Sequence, residues 1–154
     1  MSTTPFDAGL RLLALRDHSE AELRRKLKTK GYPADGIDGA VARLKELSYL
    51  DDLRFARIFA EGALRGGRYV GERLRRELKM RGVAESVIRE ALGELEEEFP
   101  AQETLAALIA RRFSGFDPQA ATDKEKRRVV SYLMRRGFAL GAISKELKLN
   151  STMI

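Results

Sequence analysis

Apolar residues recur four apart at three places along the chain: Leu23/Leu27, Leu74/Leu78 and Val129/Leu133. Four residues are just over one helical turn, so each pair marks one face of a helix. Four residues beyond each pair stands a glycine (Gly31, Gly82, Gly137), preceded by a basic residue and followed by Tyr32, Val83 or Phe138. Glycine followed by an apolar residue is the signature of a Schellman-type helix end, and the basic residue complements the helix dipole. The offsets are 51 residues from the first segment to the second and 55 from the second to the third. The register extends to Ile37/Ile88/Ile143, Ala40/Ala91, Val41/Leu92/Leu147 and Leu44/Leu95. The chain therefore repeats one unit three times.

Start signals agree with the end signals. Ser19-Glu20-Ala21-Glu22 and Thr122-Asp123-Lys124-Glu125 read as capping boxes, and Pro33 fits an early helix position. Each middle helix is followed by another: about Ala34–Leu47, weakened by Gly36 and Gly39, then Ala84–Glu98 and Leu140–Lys148. Each is preceded by an amphipathic one: Ala8–Arg16, Asp52–Leu64 and Ala101–Phe113. Breaks fall near Tyr49–Asp51, at Gly66-Gly67 and at Ser114–Pro118, the last extending to Ala121. No stretch alternates like a strand. The expected fold is all-α: three tandem three-helix repeats over 1–50, 51–99 and 100–154, one continuous array. A unit of about 50 residues has a marginal core of its own. The repeats are therefore expected to stack into an elongated, curved rod.

Composition narrows the chemistry. The 154 residues contain no Cys and one His, His18. Disulfides, thiol nucleophiles, Cys-ligated zinc and iron–sulfur clusters are excluded, and no catalytic constellation emerges. No cofactor or metal is expected, and the chain does not read as an enzyme. No apolar run approaches the ~20 residues of a membrane span, and Met1–Gly9 lacks a signal-peptide pattern. The expectation is a soluble cytoplasmic monomer with no membrane partner.

The formal net charge of +6 is uneven: +2 over 1–50, −1 over 51–99 and +5 over 100–154. The middle helix of each repeat is the basic one. At about 100° per residue, with Leu74 and Leu78 inward, Arg76 points directly outward and Arg73 and Lys79 lie to either side. Arg75 and Glu77 flank the core boundary. The outward set of the first repeat is Arg25 and Lys28, with Arg24 at the boundary; that of the third is Arg127, Arg128 and Arg135. Three basic faces at regular spacing suit an extended polyanion, or equally a solvated surface.

Other features have plainer readings. Aromatics do not alternate with the basic residues; Tyr69 and Tyr132 lie nearest and are expected to pack in the core. Asp51-Asp52 reads as helix capping, His18 as a local cap or surface group, and Gly66-Gly67-Arg68 as a turn. Glu94, Glu96, Glu97 and Glu98 read as a solvated helix end.

The motifs together resemble the RecX family of regulatory proteins. His18-Ser19-Glu20-Ala21-Glu22-Leu23-Arg24-Arg25-Lys26-Leu27 with Lys30-Gly31-Tyr32 is similar to the family's first-repeat signature. Leu44-Lys45-Glu46-Leu47-Ser48-Tyr49-Leu50-Asp51-Asp52 with Arg54-Phe55-Ala56 resembles its first junction. Arg76-Glu77-Leu78 with Arg81-Gly82-Val83, and Leu133-Met134-Arg135-Arg136-Gly137-Phe138, resemble the second and third repeats. The resemblance covers about residues 8–148; Ser48 departs from it, standing where the family usually has Gly. It implies a curved rod of three-helix repeats. It also implies a negative modulator of the bacterial recombinase RecA, lying in the groove of its filament on single-stranded DNA. There it would reduce ATP hydrolysis, strand exchange and co-protease activity. By charge and geometry, that contact is assigned to Arg25, Lys28, Arg73, Arg76, Lys79, Arg127, Arg128 and Arg135, with DNA met directly or through the recombinase. The alternatives are a helical-repeat DNA-binding protein, or a scaffold, acting without the recombinase.

Overall fold

The computed structural model describes residues 3–149. Among these residues there are nine helices and no strand: α1 (Pro5–Leu15), α2 (Glu20–Thr29), α3 (Ala34–Glu46), α4 (Asp52–Gly66), α5 (Gly71–Met80), α6 (Glu85–Glu98), α7 (Ala101–Arg112), α8 (Asp123–Arg135) and α9 (Leu140–Glu146). None of the described helices is long and apolar enough to cross a membrane.

The local signals act as expected. Leu23, Leu27, Leu74, Leu78, Val129 and Leu133 are all buried. Ser19 and Thr122 form complete capping boxes with Glu22 and Glu125. Asp51 caps α4, its Oδ1 accepting from the N–H groups of Leu53 and Arg54. Helix α3 runs unbroken through Gly36 and Gly39.

Several boundaries differ from the sequence expectation, and α4 runs on to Gly66 rather than Leu64. α1 begins at Pro5 because Thr4 Oγ1 accepts from Asp7 N at 3.1 Å, and a first-turn proline has no N–H to satisfy. Pro33 is the residue before α3 rather than part of its first turn. The last helix ends at Glu146, and Lys148 turns to φ 57°.

The helix ends share one geometry. Tyr32 N donates to Leu27 O, Val83 N to Leu78 O and Phe138 N to Leu133 O, at 3.1–3.3 Å. The glycine between adopts φ 96°, 83° and 107° respectively. Helix α3 closes identically, with Tyr49 N on Leu44 O at 2.9 Å, but Ser48 holds the left-handed position at φ 64°. That conformation favours glycine, and it costs a side-chain-bearing residue about 1–2 kcal/mol.

The chain divides into two compact units. The first gathers the described residues up to Phe59 together with Glu77–Leu92; the second gathers Ala60–Arg76 together with the described residues from Gly93 onward. In the first, Ala8, Leu23, Leu27, Ile37, Val41, Leu44 and Leu50 form a continuous cluster under Phe6, Leu10 and Tyr32. In the second, Ala63, Leu64, Val70, Leu74, Leu105, Leu108, Val130, Leu133, Phe138 and Ile143 are buried.

Each unit contains one tight helix junction, and the two are equivalent in the repeat. In the first unit the Ser19 hydroxyl donates to the Arg81 carbonyl at 2.5 Å. In the second, Val70 N–H donates to the Arg136 carbonyl at 2.8 Å. Ser19 and Val70 each precede a middle helix; Arg81 and Arg136 each precede a closing glycine. A Cβ on Gly82 would collide with the Cβ of Ala21, and one on Gly137 with the Val70 carbonyl oxygen. Gly31 meets nothing within 4 Å.

His18 lies at the first junction and is 2% exposed, so it is a buried local group and not a surface one. Its Nδ1 is 2.9 Å from the Arg16 carbonyl and its Nε2 2.8 Å from Lys26 Nζ. The neutral ring with its proton on Nδ1 satisfies both: Nδ1–H donates to the carbonyl and Nε2 accepts from the ammonium. Burial lowers its pKa, Arg16 and Lys26 lower it further, and the Arg16 carbonyl opposes.

Two predictions follow from the junctions. Gly31→Ala should cost about 1–2 kcal/mol, the left-handed backbone alone. Gly137→Ala should cost roughly 1–3 kcal/mol more from overpacking against Val70; urea unfolding midpoints compare them, and equal losses would refute the close approach. For His18, the folded pKa lies below the unfolded 6.5, so its contribution is present above 6.5 and is lost as pH falls toward the folded value. Melting temperature should fall between pH 7 and 5, and the His18→Gln protein should show a shallower fall.

Candidate functional site

The eight basic residues singled out from the sequence divide between the units: Arg25, Lys28 and Lys79 in the first, and Arg73, Arg76, Arg127, Arg128 and Arg135 in the second. Seven are exposed. Arg25 and Lys28 stand one turn apart on α2, with no ion pair among the described residues, whereas Arg24 at the boundary is tied to Glu20 at 3.0 Å and Asp38 at 2.6 Å. Lys79 pairs with Glu85 at 3.7 Å. Arg76, Arg127, Arg128 and Arg135 have no ion pair among the described residues, as their outward wheel positions predict.

Arg73 is different. It is half-buried, and its guanidinium donates to the Arg135 carbonyl at 3.1 Å while lying 5.1 Å from the centre of the Tyr69 ring. It therefore joins α5 to the end of α8 and brings Arg73 and Arg135 together. Its neighbours behave as boundary positions do. Arg75 pairs with Glu96 at 2.5 Å, and Glu77 is buried beneath Arg81, 2.8 Å away. Lys126 falls on the inward stripe with Val129, Val130 and Leu133 and is buried.

The aromatic expectation needs correction. Tyr69 and Tyr132 are half-buried, and each carries two guanidiniums. Arg68 and Arg73 both lie 5.1 Å from the Tyr69 ring centre. Arg112 and Arg136 lie 4.8 and 4.6 Å from that of Tyr132, and Arg136 also donates to the Tyr132 hydroxyl at 2.7 Å. Phe113 packs edge-on to Tyr132, with centroids 5.2 Å apart. Aromatics and arginines are thus interleaved in space. A guanidinium over an aromatic face gains about 0.5–1 kcal/mol at an exposed site and loses side-chain freedom while keeping its charge.

Four basic residues of this region were missed: Arg68, Arg111, Arg112 and Arg136. Arg68 follows the Gly66-Gly67 turn, Arg111 and Arg112 close α7, and Arg136 had been absorbed by the helix-end pattern. Their sequence signals were the Gly66-Gly67-Arg68 motif, read as a turn, the basic residue before Gly137, and the consecutive Arg111-Arg112 in the last turn of α7. Arg111 donates to the Gly66 carbonyl at 2.8 Å and Arg136 to that of Arg68 at 3.4 Å. Among the described residues no group of three or more His, Asp or Glu side chains could hold a metal ion.

The acids have local tasks. Glu94, Glu96, Glu97 and Glu98 are exposed at the end of α6, as expected. Asp52 does not cap its own helix: its Oδ1 accepts from Glu20 N at 2.8 Å, tying α4 to the start of α2, and burial pushes its pKa up.

Arg73 and Arg76 separate structural from free charge by stability. Arg76→Ala should leave the unfolding free energy within about 0.5 kcal/mol. Arg73→Ala should lower it by about 1 kcal/mol or more, through the lost carbonyl and ring contacts. Chemical denaturation of both variants checks this; an equal effect would contradict the asymmetry.

Known proteins match this chain along most of its length. Three family models match in order: RecX, first three-helix domain, over residues 6–44; the second three-helix domain over 51–92; and the third over 101–147. The chain is 45% identical over 137 residues to the regulatory protein RecX of Syntrophotalea carbinolica, covering 89% of this chain and 90% of that one. It is 41% identical over 140 residues to that of Trichlorobacter lovleyi, covering 89% and 91%. The crystal structure of RecX from Lactobacillus salivarius superposes with a TM-score of 0.72 at 17% identity, covering 94% of this chain and 92% of that one. At that identity the likeness speaks to the fold.

Proposed function

The chain belongs to the RecX family of regulatory proteins, and from that premise we propose that it is a negative regulator of the bacterial RecA recombinase. It binds the filament that RecA forms on single-stranded DNA and reduces ATP hydrolysis, strand exchange and co-protease activity. It does so by binding, as a cytoplasmic monomer, with no chemistry or cofactor of its own.

The observation that carries this reading is the set of outward cations. Arg25 and Lys28 on α2, Arg76 on α5, and Arg127, Arg128 and Arg135 on α8 are exposed and without ion pairs among the described residues. Exposed charges left unpaired are free to release counterions from a polyanion, which supplies affinity and makes it fall with salt. Lys79 and Arg73 complete the proposed set of residues, Lys79 in the first unit once its weak pair with Glu85 yields and Arg73 in the second chiefly by holding the end of α8.

Titration into an ATPase assay of the cognate recombinase on single-stranded DNA tests the reading. Inhibition should appear well below the concentration that coats the same DNA without recombinase. Arg76→Glu with Arg128→Glu should raise the half-inhibitory concentration roughly tenfold, about 1.4 kcal/mol, as two exposed charge contacts of about 0.7 kcal/mol each would supply. Helicity and melting should be unchanged. No inhibition by the native protein, or inhibition only once the DNA is covered, would favour a general DNA-binding or scaffold protein.

A further inference from the structure

We propose that an arginine-walled groove in the second unit is a phosphodiester-binding subsite that grips a single nucleic-acid strand. The choice of nucleic acid over another polyanion rests on the filament-binding reading; the site itself does not.

The groove has a volume of about 640 Å³ and is walled by Arg68, Arg111, Arg112 and Arg136, with Tyr132 and Leu108 between them. Among the described residues no carboxylate lines it. The partners that hold Arg111, Arg112 and Arg136 are neutral: the Gly66 carbonyl, the face of Tyr132, the Tyr132 hydroxyl and the Arg68 carbonyl. These contacts fix the guanidiniums without cancelling their charge. Elsewhere the protein pairs arginine with carboxylate, as at Arg24–Asp38, Arg75–Glu96 and Arg81–Glu77. Like charges held together by neutral partners repel, and a bound anion removes that cost.

The chemistry of the wall selects the anion. Guanidinium presents a planar fork of five donors, matched to phosphate oxygens; Arg111 spends one of them on the Gly66 carbonyl and Arg136 two, on the Arg68 carbonyl and the Tyr132 hydroxyl. Two glycines, Gly62 and Gly66, also line the groove, and a Cβ at either would meet nothing within 4 Å, so a backbone has room to approach. A phosphodiester strand brings a full charge on a short link at every residue. An acidic peptide must order flexible side chains to present the same density. Tyr132 is a positioning residue: it orients Arg112 and Arg136 by ring and hydroxyl.

The test is fluorescence anisotropy of a labelled oligothymidylate at several salt concentrations. In the Arg112→Gln/Arg136→Gln protein, the slope of log affinity against log salt should become shallower by about 1.4, two phosphate contacts at about 0.7 each on a single strand. Should Arg136→Gln lower melting, the exposed pair Arg111→Gln/Arg112→Gln should give the same change. An unaltered slope and affinity in a folded double variant overturns the subsite. Displacement of the oligomer by tripolyphosphate as readily as by unlabelled oligothymidylate, at equal phosphate, also overturns it in favour of a free-polyphosphate site. The same variants in the recombinase ATPase assay separate the two readings. Lost strand binding alongside a native protein that never inhibits keeps the subsite and removes the regulator. Lost inhibition with unaltered strand binding assigns the groove to a protein surface and overturns the inference.

Discussion

A helix ends with carbonyls that have no partner inside it, and begins with N–H groups in the same condition. This protein satisfies such a carbonyl at each of the two junctions where the end of a middle helix meets the residue before another. The Arg81 carbonyl accepts from the Ser19 hydroxyl, and the Arg136 carbonyl accepts from the Val70 N–H. The contact requires backbone to approach backbone or a bare Cβ, so the next residue must lack a side chain. Gly82 and Gly137 meet that need and the left-handed helix end together. The helix-end requirement alone would leave Gly31 equivalent to the other two. The junction makes them different, because nothing approaches Gly31.

The same junctions decide what the arginines do. Arg81 lies over the Phe59 ring at 4.3 Å and pairs with buried Glu77. Arg136 occupies the equivalent position in the repeat, but its partners are a phenol and a carbonyl. One is neutralised and structural, the other remains a charge presented to solvent. A repeated fold has thus used one register position in two ways, by changing the acid available to it.

Charge distribution has the same logic. In the first unit Glu20 takes both Arg24 and Lys45, and Glu22 takes Arg16. Glu20 and Glu22 consequently have lowered pKa values despite burial, which works the other way. Around Tyr132 in the second unit the arginines rest on carbonyls, a hydroxyl and a ring. The excess of +5 in the last part of the sequence becomes a local field because these partners carry no charge.

Helix positions, capping boxes, glycine stops and the inward apolar pairs were all legible in the sequence, because each depends on contacts three or four residues apart. So were the exposed faces of Arg25, Arg76, Arg127 and Arg128, since the helical period alone turns them from the apolar stripe. Pro5 and Pro33 were harder to place, because a proline signals a helix start without saying which neighbour caps it. The groove was not legible. It is assembled from groups 45 and 68 residues apart, as at Arg111–Gly66 and Arg136–Arg68. Nothing periodic links those positions. The Arg112–Tyr132 pairing belongs with it, whereas Tyr69–Arg73 and Tyr132–Arg136 stand four residues apart on the helical period. Short-range geometry determined the helices and their faces; only the packing of helix ends against one another decided which charges would converge.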